Sequence, residues 1–249
     1  MADPMKPVCL LTGAGGVLGS AFCRTLAARF DIAAVYRARH PDTPSQLEWL
    51  RDPLDPSLRV PENDHPVFAI QQDLSHEDGP SRVVDLALAH FGRVDVLVNA
   101  AADVTFWGPL LDAERQKDRL RSQLEMNVMV PIRLAALVAE RFWRDRRDEN
   151  LARSRSVVNV SSISGLQIFK GCNQSMYSAS KAALNYLTCH MAEEFSVFGV
   201  RANAVAPGSF PGQIATARVV SAIIRLAEAE EDIAGKVLVI DEHGERLTP

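Results

Sequence analysis

The sequence has no apolar run of the roughly 18 residues that a membrane-spanning helix needs. Its first residues, 1–7, also do not combine a basic start with a long apolar segment. We therefore expect no membrane partner and a cytoplasmic location. What the chain does have is 47% hydrophobic and 23% charged residues over 249 positions, which is typical of a globular protein with an ample core.

A basic footprint is also missing. The net charge is −4 and the isoelectric point is near 5.9, so a nucleic-acid partner is not expected. The arginines between positions 141 and 155 alternate with Asp145, Asp148 and Glu149. We interpret this mixed run as the solvated end of a helix.

Cysteine is scarce, and the pattern argues against a metal site. The four cysteines contain no Cys-x-x-Cys pair, and the six histidines form no metal-ligand spacing with them. We expect no metal and buried free thiols at Cys9, Cys23, Cys172 and Cys189.

Tyrosine and lysine are rare as well, with three and five copies, yet Tyr177 and Lys181 stand four residues apart. On a helix that spacing places a phenol beside an ammonium, which lowers the phenol pKa and favours proton exchange at neutral pH. Ser162 ends the preceding apolar strand, where its hydroxyl could hold a carbonyl oxygen. Alone the pair is a weak motif. Together the three groups suit a carbonyl or alcohol redox site.

A glycine-rich turn at 12–19 lies between a short apolar run, 8–11, and an amphipathic segment, 20–29. We predict strand, turn and helix in that order. Glycines let a pyrophosphate approach the backbone, and the N–H groups at the helix start favour its negative charge.

The residues after the second predicted strand, 31–36, bear on which nicotinamide cofactor fits. An acidic residue there would bind a ribose 2′-hydroxyl, whereas arginine would pair with a 2′-phosphate. The sequence has Arg37 and Arg39. NADP(H) is therefore favoured over NAD(H), and the alternative is that both arginines are only surface charges.

Further strands are predicted at 67–71 and 94–98, with a helix at 81–91 between them. Asp73 and Leu74 follow the first of these strands at a place where they could meet an adenine ring. A helical tract is predicted at 112–144, and the apolar residues near helical spacing are Leu120, Leu124, Val128, Leu134, Leu137 and Val138. Asn127 interrupts that face, either as a hydrogen-bonding hub or as part of a proton path.

The end of the chain continues the alternation. A helix runs on from Tyr177, strands are predicted at 200–205 and 236–240, and a last helix at 216–229. Strands that alternate with helices predict an α/β fold: a Rossmann-type, doubly wound parallel sheet in three α/β/α layers, as one domain over 1–249. The proline-rich stretch 41–66 is interpreted as a surface insertion, because so short a segment cannot carry a core.

Taken together, the motifs resemble those of the short-chain dehydrogenase/reductase family over nearly the whole chain. The residues that carry the resemblance are the glycine turn 12–19, Asp73, 99–101, Asn127, 161–165, the run Tyr177-Ser178-Ala179-Ser180-Lys181 and 201–208.

The resemblance implies roles residue by residue. Tyr177 would be the general acid/base, Lys181 would lower its pKa and hold the nicotinamide ribose, Ser162 would bind the substrate oxygen, and Asn127 would anchor a water. The residues implied in cofactor binding are Gly13, Gly16, Val17, Leu18, Gly19, Arg37, Asp73, Leu74, Asn99, Ala100, Tyr177, Lys181, Pro207 and Gly208, with Asn99 beside the adenosine ribose. A homodimer or homotetramer is also implied.

Several positions depart from the family pattern. Val17 replaces a glycine, Ala100 and Ala102 replace Asn and Gly, and Ser162 precedes Tyr177 by two more residues than usual; Ser164 has the usual spacing, but Ser162 fits the motif around it. The region 209–232 is too short for the usual substrate lid, which suggests a bulky or carrier-bound carbonyl substrate, cover from a partner subunit or from the loop at Phe106 and Trp107, or a degraded enzyme.

Three functions therefore stay open at the level of sequence. The first is an NADP(H)-dependent reductase or dehydrogenase acting on a carbonyl or secondary alcohol. The second is a non-catalytic dinucleotide-binding sensor or scaffold, and the third is a reductase of pteridine-type heterocycles. The sequence does not identify the substrate, the direction of reaction or the stereochemistry.

Overall fold

The computed structural model describes residues 6–42, 67–228 and 233–248. The predicted proline-rich insertion at 41–66 therefore lies outside the described residues except for Pro41 and Asp42. The last part of the predicted short lid region, 229–232, lies outside them too.

All described strands form one eight-stranded sheet with the order β3-β2-β1-β4-β5-β6-β7-β8. Strands β1 to β7 are parallel, as predicted, so that Leu10 in β1 lies between Ala33 in β2 and Leu97 in β4. The α/β Rossmann-type fold is confirmed. The strands are β1 Val8–Thr12, β2 Asp31–Tyr36, β3 Val67–Gln71, β4 Val96–Asn99, β5 Ser156–Val160, β6 Arg201–Pro207, β7 Val237–Asp241 and β8 Gly244–Thr248.

The last strand was not predicted. β8 runs antiparallel to β7, and Asp241 pairs with Gly244 across a two-residue turn. From the sequence, no element is predicted after the strand at 236–240, although a polar turn followed by another short run is the pattern of a hairpin.

Helices cover both faces of the sheet. One face buries residues of α1 and α7 against alternate strand positions such as Cys9 and Leu11. The other buries residues of α2, α4 and α6 against the intervening positions such as Leu10 and Leu97. This alternation is why the strands are apolar throughout. The helices are α1 Val17–Leu26, α2 Gly79–Phe91, α3 Lys117–Leu124, α4 Val130–Val138, α5 Arg147–Ala152, α6 Ser175–Ser196 and α7 Thr216–Glu228.

The helical tract predicted at 112–144 is interrupted. It begins at Lys117, and one π-helical turn, Glu125–Met129, joins α3 to α4 while a second, Ala139–Trp143, follows α4. A π turn inserts an extra residue and shifts the buried face. The predicted apolar face is therefore wrong at its start: Leu124 is largely exposed, whereas Leu134 and Val138 are in the core.

The arginine run interpreted as a solvated helix end is exposed at 141, 144, 146, 147 and 153, and the interpretation is wrong only for Arg155. Arg155, which directly precedes β5, is 0% exposed. Its Nε donates to the buried carboxylate of Asp95 at 3.0 Å, and another guanidinium nitrogen bonds Asn150. This buried ion pair joins the chain segments before β4 and β5 at the amino ends of the strands.

The cysteines follow the prediction only in part. Cys9 and Cys23 are buried, and burial raises the pKa of both thiols, that of Cys23 to about 12. Cys172 is exposed and Cys189 is half-buried, which corrects the expectation for those two. Within the described ranges no histidine, cysteine and carboxylate side chains group into a metal site. None of the described helices is long and apolar enough to cross a bilayer.

Candidate active site

The turn between β1 and α1 is shaped by very close backbone contacts. Gly13 has φ +71°, and a Cβ there would lie 2.8 Å from the carbonyl oxygen of Ala100. A Cβ on Gly15 would lie 1.9 Å from the carbonyl oxygen of Arg39. No other residue fits at either position. Gly15 was not among the predicted cofactor residues, although its place beside Gly16 was a signal for it.

Helix α1 begins with unoccupied backbone donors. Gly16 is its N-cap residue, and no side chain caps the first turn. Such a helix start binds anions, because several N–H groups and the positive end of the helix dipole face the same point. Of the other predicted residues, Val17 is exposed, Leu18 is buried in the core and Gly19 packs against the backbone of the turn.

A cleft of about 550 Å³ opens from this turn across the ends of β1, β2 and β4. Its walls include Gly13, Gly16, Arg37, Asp73 and Ala100. A dinucleotide cofactor fits these residues, because the glycines have no side chains and leave the backbone accessible where a phosphate would lie. The cleft therefore brings together most of the residues predicted for the adenosine and phosphate end.

Asp73 and Leu74 lie where the cleft meets the end of β3. Leu74 is buried in the core, while Asp73 accepts hydrogen bonds from the backbone N–H and the hydroxyl of Ser75 at 3.0 and 2.7 Å. Partial burial acts to raise the pKa of Asp73, but the bonds from Ser75 and the charge of Arg37 outweigh it, and the net shift is downward. Asp73 is therefore an anion held in a fixed orientation.

The two arginines after β2 differ in their partners. The guanidinium of Arg39 lies 3.7 Å from the carboxylate of Asp42, which also faces Arg24. Arg37 has no carboxylate within 4.0 Å among the described residues. Its positive charge instead lowers the pKa of both Asp73 and Asp103 from a longer distance. Arg37 is thus the cation in the cleft with capacity for a further anion.

The end of β4 is anchored to the sheet. The backbone N–H groups of Ala100 and Ala101 donate to the hydroxyl of Thr12 at 3.0 and 3.1 Å. Asn99 was expected beside the adenosine ribose, but its side-chain amide is buried and donates to Asn159 in β5 at 2.9 Å. Asn99 therefore stabilises the sheet, and Ala100 forms the wall of the cleft.

Ser162, Tyr177 and Lys181 meet at the carboxyl end of β5. The Ser162 hydroxyl accepts from the backbone N–H of Ser164 at 3.2 Å and also hydrogen-bonds the Tyr177 phenol. Lys181 lies one helical turn after Tyr177, with its Nζ 5.8 Å from the centre of the phenol ring. Ser164 is held instead by the Gln174 amide at 3.1 Å, so Ser162 is the serine that faces the phenol.

The electrostatics of this group differ from the prediction. Burial raises the pKa of Tyr177 above its ordinary value, and the hydrogen bond with Ser162 offsets only part of that rise. Lys181 was expected to lower the pKa of the phenol, but the effect of burial on Tyr177 dominates; the Lys181 Nζ donates to the carbonyl of Val160 at 2.8 Å. Burial lowers the pKa of Lys181 itself to about 8. In this arrangement Tyr177 is a protonated acid at neutral pH.

Asn127 is a hydrogen-bonding hub. Its side-chain oxygen accepts from the backbone N–H of Asp103 at 2.7 Å, and its amide nitrogen donates to the Asp103 carbonyl and to the Ser180 hydroxyl at 2.9 and 3.1 Å. The Ser180 hydroxyl in turn donates to the backbone carbonyl of Tyr177 at 2.7 Å. The side chain therefore positions the loop after β4 against α6.

Asp103 was missed in the sequence, and Trp107 was expected only as part of a loop that could cover the site. Asp103 faces the cleft, and its carboxylate accepts from the Ser122 hydroxyl and the Thr105 backbone N–H, both at 2.6 Å. Trp107 lies beside Tyr177, with 5.9 Å between the ring centroids. No motif surrounds Asp103, so the sequence offered no signal for it except its position after β4.

Pro207 and Gly208 end β6 at the same edge of the sheet. The N–H of Gly208 donates to the Ile240 carbonyl at 2.8 Å, which fixes it to the end of β7. Residues 209–215 then lead directly into α7, and the buried side chain of Ile214 packs beside Gly208. No lid helix occurs between β6 and α7, which agrees with the short region noted in the sequence.

Comparison with known proteins gives one consistent family. A family model described as short chain dehydrogenase matches residues 7–220. An acetoacetyl-CoA reductase from Acinetobacter sp. (strain RA3849) is 30% identical over 98% of this chain and 94% of its own length. A cis-4-hydroxycyclohexanecarboxylate dehydrogenase from Sinomonas cyclohexanicum is 30% identical over 81% of this chain and 72% of its own. A short chain dehydrogenase from Mycobacterium avium shares the fold, with a TM-score of 0.77 at 24% identity over 98% of this chain and 85% of that one.

Proposed function

This chain belongs to the short-chain dehydrogenase/reductase family of NAD(P)-dependent oxidoreductases that act on CH–OH groups, and from that premise we propose that it is an NADP(H)-dependent reductase whose proton donor is Tyr177. The observation that carries the proposal is the group formed by Ser162, Tyr177 and Lys181. A hydroxyl, a neutral phenol and a buried amine meet where the sheet opens.

The cofactor, when bound, supplies the hydride in reduction and accepts it in oxidation. The side chains of the protein handle the proton. The Ser162 hydroxyl would orient the substrate oxygen, and the Tyr177 hydroxyl would donate its proton to that oxygen. The raised pKa of Tyr177 keeps the phenol protonated at neutral pH, which favours carbonyl reduction over alcohol oxidation. The ammonium of Lys181 would then stabilise the phenolate that remains.

The preference for NADP(H) is supported by Arg37. It lies in the cleft beside Asp73, yet no carboxylate of the described residues is within ion-pair distance of its guanidinium. A 2′-phosphate would supply that missing anion, and guanidinium and phosphate match in geometry as well as charge. Arg39 contributes less, because Asp42 already neutralises part of its charge.

The substrate is left as a small-molecule or carrier-bound carbonyl compound. One relative is named as a reductase of acetoacetyl-CoA and another as a dehydrogenase of a cyclohexane ring alcohol. Both kinds of substrate suit a site without a lid helix. We also propose a homodimer or homotetramer, with the partly exposed apolar residues Leu124, Met129 and Tyr186 near the interface.

The alternatives have less support. A sensor that had lost catalysis would still use Lys181 to hold the cofactor ribose, but it would gain nothing from a hydroxyl and a buried phenol set beside that amine. A pteridine is also a flat ring, but no contact among the described residues distinguishes it from a carbocyclic ketone.

Replacing Tyr177 by Phe tests the proposal. The variant should lower kcat for any accepted ketone by about 10²- to 10⁴-fold, because the proton donor is lost. Its dissociation constant for NADPH, measured by fluorescence titration, should stay close to that of the wild type. Tyr186→Phe, on the exposed face of the same helix, is the matched control and should keep full activity. Full turnover by Tyr177→Phe would disprove the assigned acid.

A further inference from the structure

The indole of Trp107 is a large apolar group that stands exposed beside the proposed acid. Its centroid is 5.9 Å from that of the Tyr177 ring, and the two planes are tilted by 37°. The residue is 54% exposed. A tryptophan that presents its face to solvent next to a reacting group is a ready contact for a ligand ring.

The loop that carries Trp107 is held in place on both sides. Phe106 before it is 0% exposed and anchors the loop in the protein. Gly108 after it donates its N–H to the carbonyl of Asn173 at 2.9 Å, which ties this loop to the loop that precedes α6. Further back, the backbone of Asp103 is fixed by Asn127. The indole is thus exposed on an ordered scaffold.

A second loop lies next to the Trp107 loop in the described part of the chain. The connection from β6 to α7 has no lid helix, and the loop before α6 contributes exposed apolar side chains at Leu166, Ile168 and Phe169. The Gly108 to Asn173 hydrogen bond joins these two loops. Exposed apolar side chains of these two loops therefore lie on this side of the site, and among them the Trp107 ring lies beside Tyr177.

We propose that Trp107 positions the substrate and selects a ketone or secondary alcohol whose oxygen is carried on a flat ring system. The inference rests on the proposed function, because it places the reacting carbon beside Tyr177. An indole face gains attraction from an aromatic or conjugated ring beyond what burial of apolar area alone supplies. A linear ketone with the same number of carbon atoms gains only the free energy of burying apolar area against the indole.

The test compares two ten-carbon ketones, flat 1-tetralone and linear 2-decanone. Turnover is measured with NADPH, and binding is measured by calorimetry on the NADP⁺-loaded protein. The variants are Trp107→Leu, which keeps an apolar side chain, and Trp107→Phe, which keeps an aromatic face. Leu111→Ala, an exposed apolar residue farther along the same connection, is the control.

We expect Trp107→Leu to weaken 1-tetralone binding and lower its kcat/KM by about 3- to 10-fold, while 2-decanone changes by less than about 2-fold. Trp107→Phe should recover much of the loss, and Leu111→Ala should not change the preference. If Trp107→Leu loses binding and kcat/KM equally for both ketones, or for neither, the inference is overturned. Turnover of either ketone with NADPH would still uphold the proposed function. Selective loss of 1-tetralone binding in a protein that reduces neither ketone would support the ring selectivity and contradict the redox proposal.

Discussion

Two of the buried cations among the described residues lie at opposite ends of the strands and have opposite surroundings. Arg155, at the amino ends of the strands, is 0% exposed, and Lys181, at the carboxyl ends, is 2% exposed. Arg155 is matched by two carboxylates, whereas no carboxylate of the described residues lies within 4.0 Å of Lys181. The comparison separates a charge that stabilises the fold from a charge that serves the chemistry under the proposed function.

Arg155 is enclosed by partners of complementary charge and shape. Its Nε bonds Asp95 at 3.0 Å, its other nitrogens bond Asn150 and Glu149, and its guanidinium lies 4.5 Å from the centre of the Phe142 ring. A planar guanidinium suits such a multiply bonded site. The charge is fully compensated, and the cluster joins the segments before β4 and β5.

Lys181 has one hydrogen bond to the Val160 carbonyl and no counter-charge in this setting. Burial therefore acts unopposed and lowers the pKa of its amine to about 8. An uncompensated charge destabilises the folded state, so its presence at the substrate end points to chemistry. The lesson of the comparison is that burial alone does not identify a functional cation, whereas burial without an anion does.

Removing the negative charge of Asp95 should leave Arg155, like Lys181, as a buried cation without a buried carboxylate partner. Asp95→Asn keeps the shape of the side chain but leaves the buried guanidinium without its buried carboxylate. We expect the free energy of unfolding to fall by about 3–5 kcal/mol, measured by urea denaturation. Glu149→Gln is the matched control, because the side chain of Glu149 is 43% exposed and its loss should cost about 1 kcal/mol or less. Equal losses of unfolding free energy in Asp95→Asn and Glu149→Gln would show that the buried carboxylate is no more important to Arg155 than the exposed one.

Arg37 is a third cation that sharpens the comparison. It lacks the carboxylate partners of Arg155, and it is not buried as Lys181 is. Arg37→Ala should raise the dissociation constant for NADPH by about 10- to 100-fold, because charge-assisted hydrogen bonds to a phosphate are lost. Binding of NADH, which lacks the 2′-phosphate, should change little. Arg39→Ala, whose guanidinium is already paired with Asp42, should have the smaller effect. Equal losses for both cofactors in Arg37→Ala would remove the argument for NADP(H).

The smallest effect is a pH dependence of reduction. Lys181 loses its proton as the pH rises through about 8, and the charge that stabilises a Tyr177 phenolate is then lost. Tyr177 stays protonated in this range, because burial raises its pKa above the ordinary value of a phenol. The kcat/KM for NADPH-dependent reduction should therefore fall by up to about tenfold per pH unit above pH 8. A profile that stays level up to pH 9.5 would show that the charge of Lys181 is not required.

Much of the fold followed from the sequence, because apolar strands and amphipathic helices alternate with few breaks. The spacing of Tyr177 and Lys181 and the glycines of the first turn carried enough local information to place both ends of the site. These features depend on neighbours in the chain, and patterns in a sequence report such neighbours well.

The rest depends on contacts between distant segments. The burial of Arg155 requires Asp95, which lies 60 residues earlier, and nothing near either residue indicates the pairing. The raised pKa of Tyr177 and the exposed face of Trp107 depend on how loops pack around β4 and β5. The π turns before and after α4 likewise shifted the buried face of a tract that looked regular in the sequence.

The most direct test of the contrast is the stability of two matched variants, Arg155→Met and Lys181→Met, at pH 7. The account predicts that Arg155→Met loses about 3–5 kcal/mol, whereas Lys181→Met unfolds with the same or a higher free energy than the wild type. The difference in the free energy of unfolding between Lys181→Met and the wild type should shrink between pH 8 and about 10.5. The pKa of Lys181 is lower in the folded than in the unfolded state, so the wild type gains stability as the pH rises across that range. A loss in Lys181→Met equal to that in Arg155→Met would contradict the account.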